Sequence, residues 1–307
     1  MKILITGGAG FIASHVADAY IEAGHDVAIV DDLSNGSMDN VNPKARFHRL
    51  DIVDADAVQK VFEAEKPEFV SHHAAKADIA LINRDPMACF RTNIEGTWNI
   101  LEAAASVGAR KFVMISTSAT YGVPNYNPVD ERHPPQPSTP YGTSKVVDER
   151  LVHFVTKTSG MDWTILRYGN VYGPRQPIKG EAGVIGIFAR AMLKKETPYI
   201  TGDGEQIKDY VYVSDVVALN VALLDGGSKG VYNAGTGVGT SVNAIFDMLA
   251  KKIGFAGRPR YVAAREGDCS FVFDAGRAGR ELGWAPRVSL AEGMDLTIAY
   301  ERVRCRV

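Results

Sequence analysis

Short runs of β-branched and apolar residues alternate along the first half of the chain with longer stretches whose apolar positions fall at helical spacing. Residues 3–6, 27–30, 69–72, 112–116 and 164–167 are the predicted strands. They are apolar on both faces, as strands are when helices cover a parallel sheet on each side. The alternation therefore predicts an α/β fold with a doubly wound parallel sheet. After about Tyr172 the pattern loosens into glycine-rich and arginine-rich segments, which predicts a smaller C-terminal α/β domain. The expected division is 1–172 and 173–307, with the strand-like segment 209–213 and the apolar helix 216–224 as pieces that can return to the first domain.

Composition narrows the class. The chain has 307 residues, 46% hydrophobic and 23% charged, which is too apolar for disorder and long enough for about two domains' worth of core. A formal net charge of −2 offers no field for phosphate backbones or anionic membranes, so no nucleic-acid partner is expected. Cys89, Cys269 and Cys305 are odd in number and lack metal-ligand spacing, which excludes a disulfide framework and fits a reducing cytoplasm. The start, MKILITGG, reads as a strand entering a glycine turn rather than an export signal. The longest apolar stretch, 183–193, contains Arg190 and falls short of the ~20 residues that cross a bilayer, so no membrane partner is expected either.

Two places carry candidate chemistry. Gly7, Gly8, Ala9 and Gly10 lie between the first strand and a predicted helix over 11–23, with Ala13 in the place of a last glycine. Glycines there allow a tight turn, and the helix N-terminus beyond it favours a pyrophosphate. The second strand ends in Asp31 and Asp32, where a carboxylate can accept both hydroxyls of an adenosine ribose. No Lys or Arg stands between Asp31 and Asn42, so NAD is expected rather than NADP. Asp51 is placed to reach the adenine amino group, or else to cap a helix from Ile52 onward.

At the chemical end, Tyr141 and Lys145 are four residues apart at the start of a helical pattern and share one face. A nearby ammonium favours phenolate over phenol, which suits a general base. Upstream, the strand over 112–116 runs into Ser116, Thr117 and Ser118, placing hydroxyls at the carboxyl edge of the sheet, where ligands bind in such folds. His72 and His73 look like a metal pair, but adjacent strand residues point to opposite faces and no acidic partner has suitable spacing; no metal is expected.

GGAGFIA, VDDLSNG, HHAA, NIEGTWNILEAA, the Ser/Thr strand end, YGTSK, RYGNVYGPRQ, GDGEQIKDYVYV and REGD occur in this order over nearly the whole chain. In them the sequence resembles the extended short-chain dehydrogenases that epimerise or dehydrate nucleotide sugars, and within these the UDP-glucose 4-epimerases. The resemblance implies a Rossmann domain that binds NAD and a smaller domain that binds the nucleotide sugar. It implies Thr117 as the hydroxyl on the sugar, Tyr141 as base and acid, and Lys145 as the residue that holds the nicotinamide ribose. It implies cofactor contacts at Gly7, Gly10, Phe11, Ile12, Asp31, Ser34, Asn35, Gly36, Asp51 and Ile52. Around the nicotinamide half it implies His73, Ala74, Ala75, Asn93, Ser116 and Tyr168. Asn170, Val184, Tyr199, Thr201, Lys208, Arg265 and Asp268 match positions that hold UDP.

Departures sharpen the reaction type. Dehydratases of this family carry an Asp and Glu pair after the active hydroxyl, and decarboxylases a Glu; Ser118 and Ala119 stand there instead. Epimerisation needs no such acid. Lys208 replaces the family's usual Arg, a point charge for a planar fork. Phe271 or Val272 falls at the position that limits bulk at the sugar's C2, which leaves N-acetyl sugars open. The expected activity is C4 epimerisation of UDP-galactose or UDP-glucose through a transient 4-keto sugar, by a homodimer paired through residues 93–105 and 144–156. A UDP-GlcNAc or UDP-uronate 4-epimerase, a nucleotide-sugar reductase and a non-catalytic NAD-dependent sensor are the alternatives.

Overall fold

The computed structural model describes residues 1–78, 82, 84–177, 183–264 and 269–306. In chain order its strands are β1 (Lys2–Thr6), β2 (Asp26–Asp31), β3 (Arg46–Arg49), β4 (Phe69–His72), β5 (Lys111–Thr117), β6 (Asp162–Tyr168), β7 (Asn170–Tyr172), β8 (Tyr199–Thr201), β9 (Ile207–Tyr212), β10 (Gly230–Ala234), β11 (Gly239–Ser241) and β12 (Arg260–Val262). The helices are α1 (Phe11–Glu22), α2 (Ala55–Glu65), α3 (Pro86–Phe90), α4 (Gly96–Ser106), α5 (Pro140–Ser159), α6 (Val184–Leu193), α7 (Val213–Ala222), α8 (Val242–Ile253), α9 (Gly276–Leu282) and α10 (Leu290–Cys305). A π-helical turn, Arg91–Glu95, joins α3 to α4.

Seven strands form one parallel sheet in the order β10-β6-β5-β4-β1-β2-β3. Its central strands are buried on both sides, because successive residues such as Ile3, Leu4 and Ile5 feed two separate cores. On one face Ala13, Val16 and Tyr20 of α1 pack with Val216 and Leu219 of α7 and Ala278 of α9. On the other, Val58 and Phe62 of α2, Ile100 and Leu101 of α4, and Val152 and Val155 of α5 close the second core. The sheet reverses its winding between β1 and β4, which opens a crevice at the carboxyl ends of these strands.

Strands β7, β8, β9, β11 and β12 with helices α6, α8 and α10 form a lobe beyond those carboxyl ends. It holds a three-stranded sheet, β11-β9-β7, and a parallel pair, β12-β8. Phe188 and Met192 of α6, Phe246 and Leu249 of α8, and Met294 and Ile298 of α10 form its core. A buried bidentate pair, Arg190 Nε and Nη2 donating to Glu301 at 2.9 and 2.8 Å, ties α6 to α10.

All five predicted strands are present. Segment 209–213 falls mostly in β9, which belongs to the lobe's sheet and not to the large one. The chain nevertheless crosses back after position 172, since α7 packs on α1 and β10 completes the large sheet beside β6.

Candidate active site

The glycine turn after β1 has little freedom to be anything else. Gly7 has φ +70°, donates its N–H to Val30 at 2.7 Å, and would place a Cβ 2.8 Å from the backbone nitrogen of Ala74. A side chain would be strained there and would also push β1 from the segment after β4. The turn is then locked to the end of β2: Asp31 accepts from Ala9 N–H at 3.0 Å and from Leu33 N–H at 2.8 Å. Burial raises the Asp31 carboxyl above its ordinary range, and those two amides pull it partly back. Asp32 is engaged by the backbone and hydroxyl of Ser34, at 2.8 and 2.6 Å. Asp51 is not a helix cap: α2 begins at Ala55 and is capped by Asp54, while Asp51 accepts from Val53 N–H.

These groups line one end of a cavity of about 290 Å³ in the crevice between β1 and β4. Gly7, Gly10, Phe11, Ile12, Asp31, Ser34, Asn35, Gly36, Asp51 and Ile52 all border it, as do His73, Ala74, Ala75, Ser116, Thr117, Tyr141, Lys145 and Tyr168. The glycine turn, the N-terminus of α1 and the carboxylates at the end of β2 suit a dinucleotide whose ribose bears free hydroxyls. His72 turns inward instead, hydrogen-bonded to Thr6 at 2.7 Å and Thr97 at 2.8 Å. His73 faces the cavity, its ring nitrogen 2.9 Å from Ser71 Oγ; burial, with Lys145 adding to it, pushes its pKa down to about 3, so it is neutral.

The other end is built by the start of α5. Thr139 caps the helix by accepting from Gly142 N–H at 3.1 Å, and Pro140 fills the first turn. A Cβ on Gly142 would lie 2.4 Å from the carbonyl oxygen of Ala119, so the first turn of α5 rests directly on the turn after β5. That contact brings Tyr141 to the same cavity wall as Thr117. Ser116 donates to Glu149 at 2.6 Å, and Arg167 grips the same carboxylate at 2.9 and 2.6 Å, which fixes the end of β5 against α5. Asn93 stands behind the wall and does not border the cavity. Its amide donates to Ser144 Oγ at 2.9 Å and its oxygen accepts from Lys76 N–H at 2.7 Å, while Ser144 donates to the carbonyl of Tyr141. The π turn thus braces the turn that carries the tyrosine.

The described residues matched to UDP binding, Asn170, Val184, Tyr199, Thr201 and Lys208, do not line this cavity and lie on the lobe. Asn170 on β7 donates to the carbonyl of Asp209 at 3.0 Å, Val184 opens α6, and Tyr199 and Thr201 begin and end β8. Lys208 on β9 donates to the carbonyl of Cys269 at 2.6 Å. Arg265 and Asp268 fall outside the described residues. Phe271 is buried against Tyr121 and Phe273, with ring centroids 5.7 and 4.9 Å away, and Val272 is half-buried beside it. The cavity also gathers Lys76, Thr92 and Gln176, to which sequence reasoning assigned no role. Gln176 lies in the quoted GPRQ segment and Thr92 next to Asn93, so position in a motif was their one available signal.

Residues 3–235 match the model of the NAD dependent epimerase/dehydratase family. The UDP-glucose 4-epimerase of Mycolicibacterium smegmatis is 38% identical over 312 residues, covering 98% of this chain and 99% of that protein. The crystal structure of the Thermotoga maritima UDP-glucose 4-epimerase with UDP-glucose is similar with a TM-score of 0.97 and 43% identity, covering 99% of this chain and 100% of that one. The Thermus thermophilus UDP-glucose 4-epimerase, solved as a complex with NAD, is similar with a TM-score of 0.93 and 38% identity, covering 98% of this chain and 99% of that one.

Proposed function

The chain belongs to the NAD dependent epimerase/dehydratase family, and from that premise we propose that it inverts C4 of a UDP-hexose, interconverting UDP-galactose and UDP-glucose. One observation carries the choice of reaction. Among the described residues that line the cavity, the carboxylates are Asp31, Asp32 and Asp51, all at the β2 and β3 end, and none stands beside Tyr141. Elimination of water needs an acid at the chemical end, where Ser118 and Ala119 follow Thr117. Inversion needs only one group that takes a proton and gives it back.

NAD, held by Gly7, Gly10, the start of α1 and Asp31, supplies hydride acceptance and return when bound. The chain's own residues handle the rest. Tyr141 removes the proton from the C4 hydroxyl, which lets the C4 hydrogen depart with its electron pair, and later gives that proton back to the oxygen as the hydrogen returns to the opposite face of C4. Lys145 stabilises the phenolate and Thr117 orients the hydroxyl that reacts. Asn170, Val184, Tyr199, Thr201, Lys208, Arg265 and Asp268 hold the UDP group, so that the sugar can turn about its anomeric linkage while the nucleotide stays in place. The neutral His73 adds no competing charge to the cavity wall it shares with Tyr141 and Lys145.

The active form is a homodimer paired through α4 and α5. Phe154 on α5 is 62% exposed and stands beside Trp98 of α4, ring centroids 6.3 Å apart, which supports a partner on that face. Free Cys89, Cys269 and Cys305 suit the cytoplasm, and among the described residues no helix is long and apolar enough to cross a membrane. The test is to incubate the purified protein with UDP-galactose without added cofactor. Formation of UDP-glucose with no net change in reduced nicotinamide is expected. Sugar oxidised in step with accumulating reduced nicotinamide would identify a reductase, running here in reverse, and an unchanged sugar a sensor.

A further inference from the structure

Behind the cavity wall, three residues along α5 from Lys145, lies a carboxylate that the reaction does not use. Asp148 has no solvent exposure, and neither of its oxygens accepts a well-formed hydrogen bond from a described group. Nζ of Lys145, itself 2% exposed, lies 3.2 Å from Oδ2 as an ion-pair partner. A carboxylate buried in this way must find a cation or take up a proton. The cation within reach is the ammonium that borders the cavity.

We infer that Asp148 is a positioning residue of the active site, anchoring Lys145 from behind and dividing its charge between the wall and the Tyr141 hydroxyl. The inference rests on the reading of Tyr141 as the base. While Asp148 is ionised it offsets the ammonium and opposes phenolate formation; while it is protonated the full positive field falls on Tyr141. Burial raises the Asp148 pKa to about 7 against the opposing pull of Lys145, so both forms occur in the neutral range. The groups around the pair are few. Cys89 on α3 is held as a thiol by burial, with Asp148 adding to that. His72 on β4 and His73 just beyond it are kept neutral by burial and by Lys145, Lys76 follows β4, and Glu149 is closed onto Arg167 of β6. Among the described residues, none of these offers Asp148 a second cation at contact distance.

The test is the titration of Tyr141 in Asp148→Asn and Asp148→Val, using the holoenzyme as purified. The phenolate ultraviolet band is isolated by difference against the same protein carrying Tyr141→Phe, and the acid limb of kcat/KM is measured in parallel. Both variants are expected to move the band and the acid limb toward acid by roughly 1 pH unit, because an undivided ammonium stabilises the phenolate. A merely structural role would lower kcat without moving either. An unmoved band, or one moved toward alkali, in whichever variant folds would overturn the inference. The band needs no turnover, so loss of the epimerase reading would show as absent activity in the unmodified enzyme, while the titration would still decide the role of Asp148.

Discussion

Removing the buried carboxylate of Asp148 should stabilise the protein at alkaline pH more than at acid pH, by an amount set by its burial. Asp148 is shifted from its usual value near 3.8 to about 7 in the folded chain, chiefly by burial. A carboxyl whose folded pKa is raised favours folding least where it must ionise. Its contribution is intact below pH 3.8, falls through the interval up to about 7, and is then constant. At ~1.4 kcal/mol per unit, the full penalty is about 4 kcal/mol above pH 7. Asp148→Asn removes it. The folded pKa already includes the attraction of Lys145, so the difference between two pH values gives the net penalty of ionising the carboxylate in its place. Between about pH 5 and pH 8.5 the variant should gain about 3 kcal/mol relative to the unmodified protein, or roughly 5–10 °C in Tm for a chain of this size. Thermal unfolding at both pH values, with equal cofactor loading, measures it. An equal effect at the two pH values would refute the buried, easily protonated Asp148 on which the calculation stands.

Other expectations concern catalysis, the cofactor and the lobe. Tyr141→Phe should lower kcat by about 10²- to 10⁴-fold, the usual contribution of a positioned base, with NAD still bound on isolation; steady-state rates and the nicotinamide content of the purified variant check both. Gly7→Ala forces a side chain to within 2.8 Å of Ala74 at φ +70° and should strip the protein of NAD, read as loss of copurified nucleotide with the far-ultraviolet spectrum retained. Glu301→Gln leaves Arg190 charged and buried without its partner, and should destabilise the lobe by about 3–5 kcal/mol in urea unfolding. Replacing both, with Arg190→Met and Glu301→Leu, should recover most of that loss.

The sheet was legible where its strands are apolar on both faces. Val27 to Val30 and Phe112 to Met114 announce themselves because the parallel sheet buries every residue of them. Strands β3 and β10 carry a weaker signal. Arg46 and His48 leave the edge strand β3 polar, and β10 holds Asn233, whose side chain is satisfied by distant partners at Val129, Asp274 and Tyr121. No local pattern encodes those contacts. The cofactor end of the cavity could be anticipated because Gly7 and Asp31 act through backbone geometry at the end of predicted strands. The chemical end was harder to see in full. Tyr141 and Lys145 show their shared helix face by spacing alone, whereas Asp148, one turn further, reads as an ordinary charged helical position. Its burial depends on α3 and the π turn packing across it, through Cys89, Asn93 and Ser144. Asn93 is likewise marked by its motif alone, and its bracing hydrogen bonds to Lys76 and Ser144 come from segments distant in sequence.

The central claim is that one hydrogen leaves C4 and returns to it within a single site, with Tyr141 moving the accompanying proton. UDP-galactose deuterated at C4, incubated with the enzyme as purified and analysed by nuclear magnetic resonance, tests this directly. Deuterium retained at C4 of the UDP-glucose formed is the expected result. Deuterium lost to water, or recovered in NAD added to the solution, would contradict it.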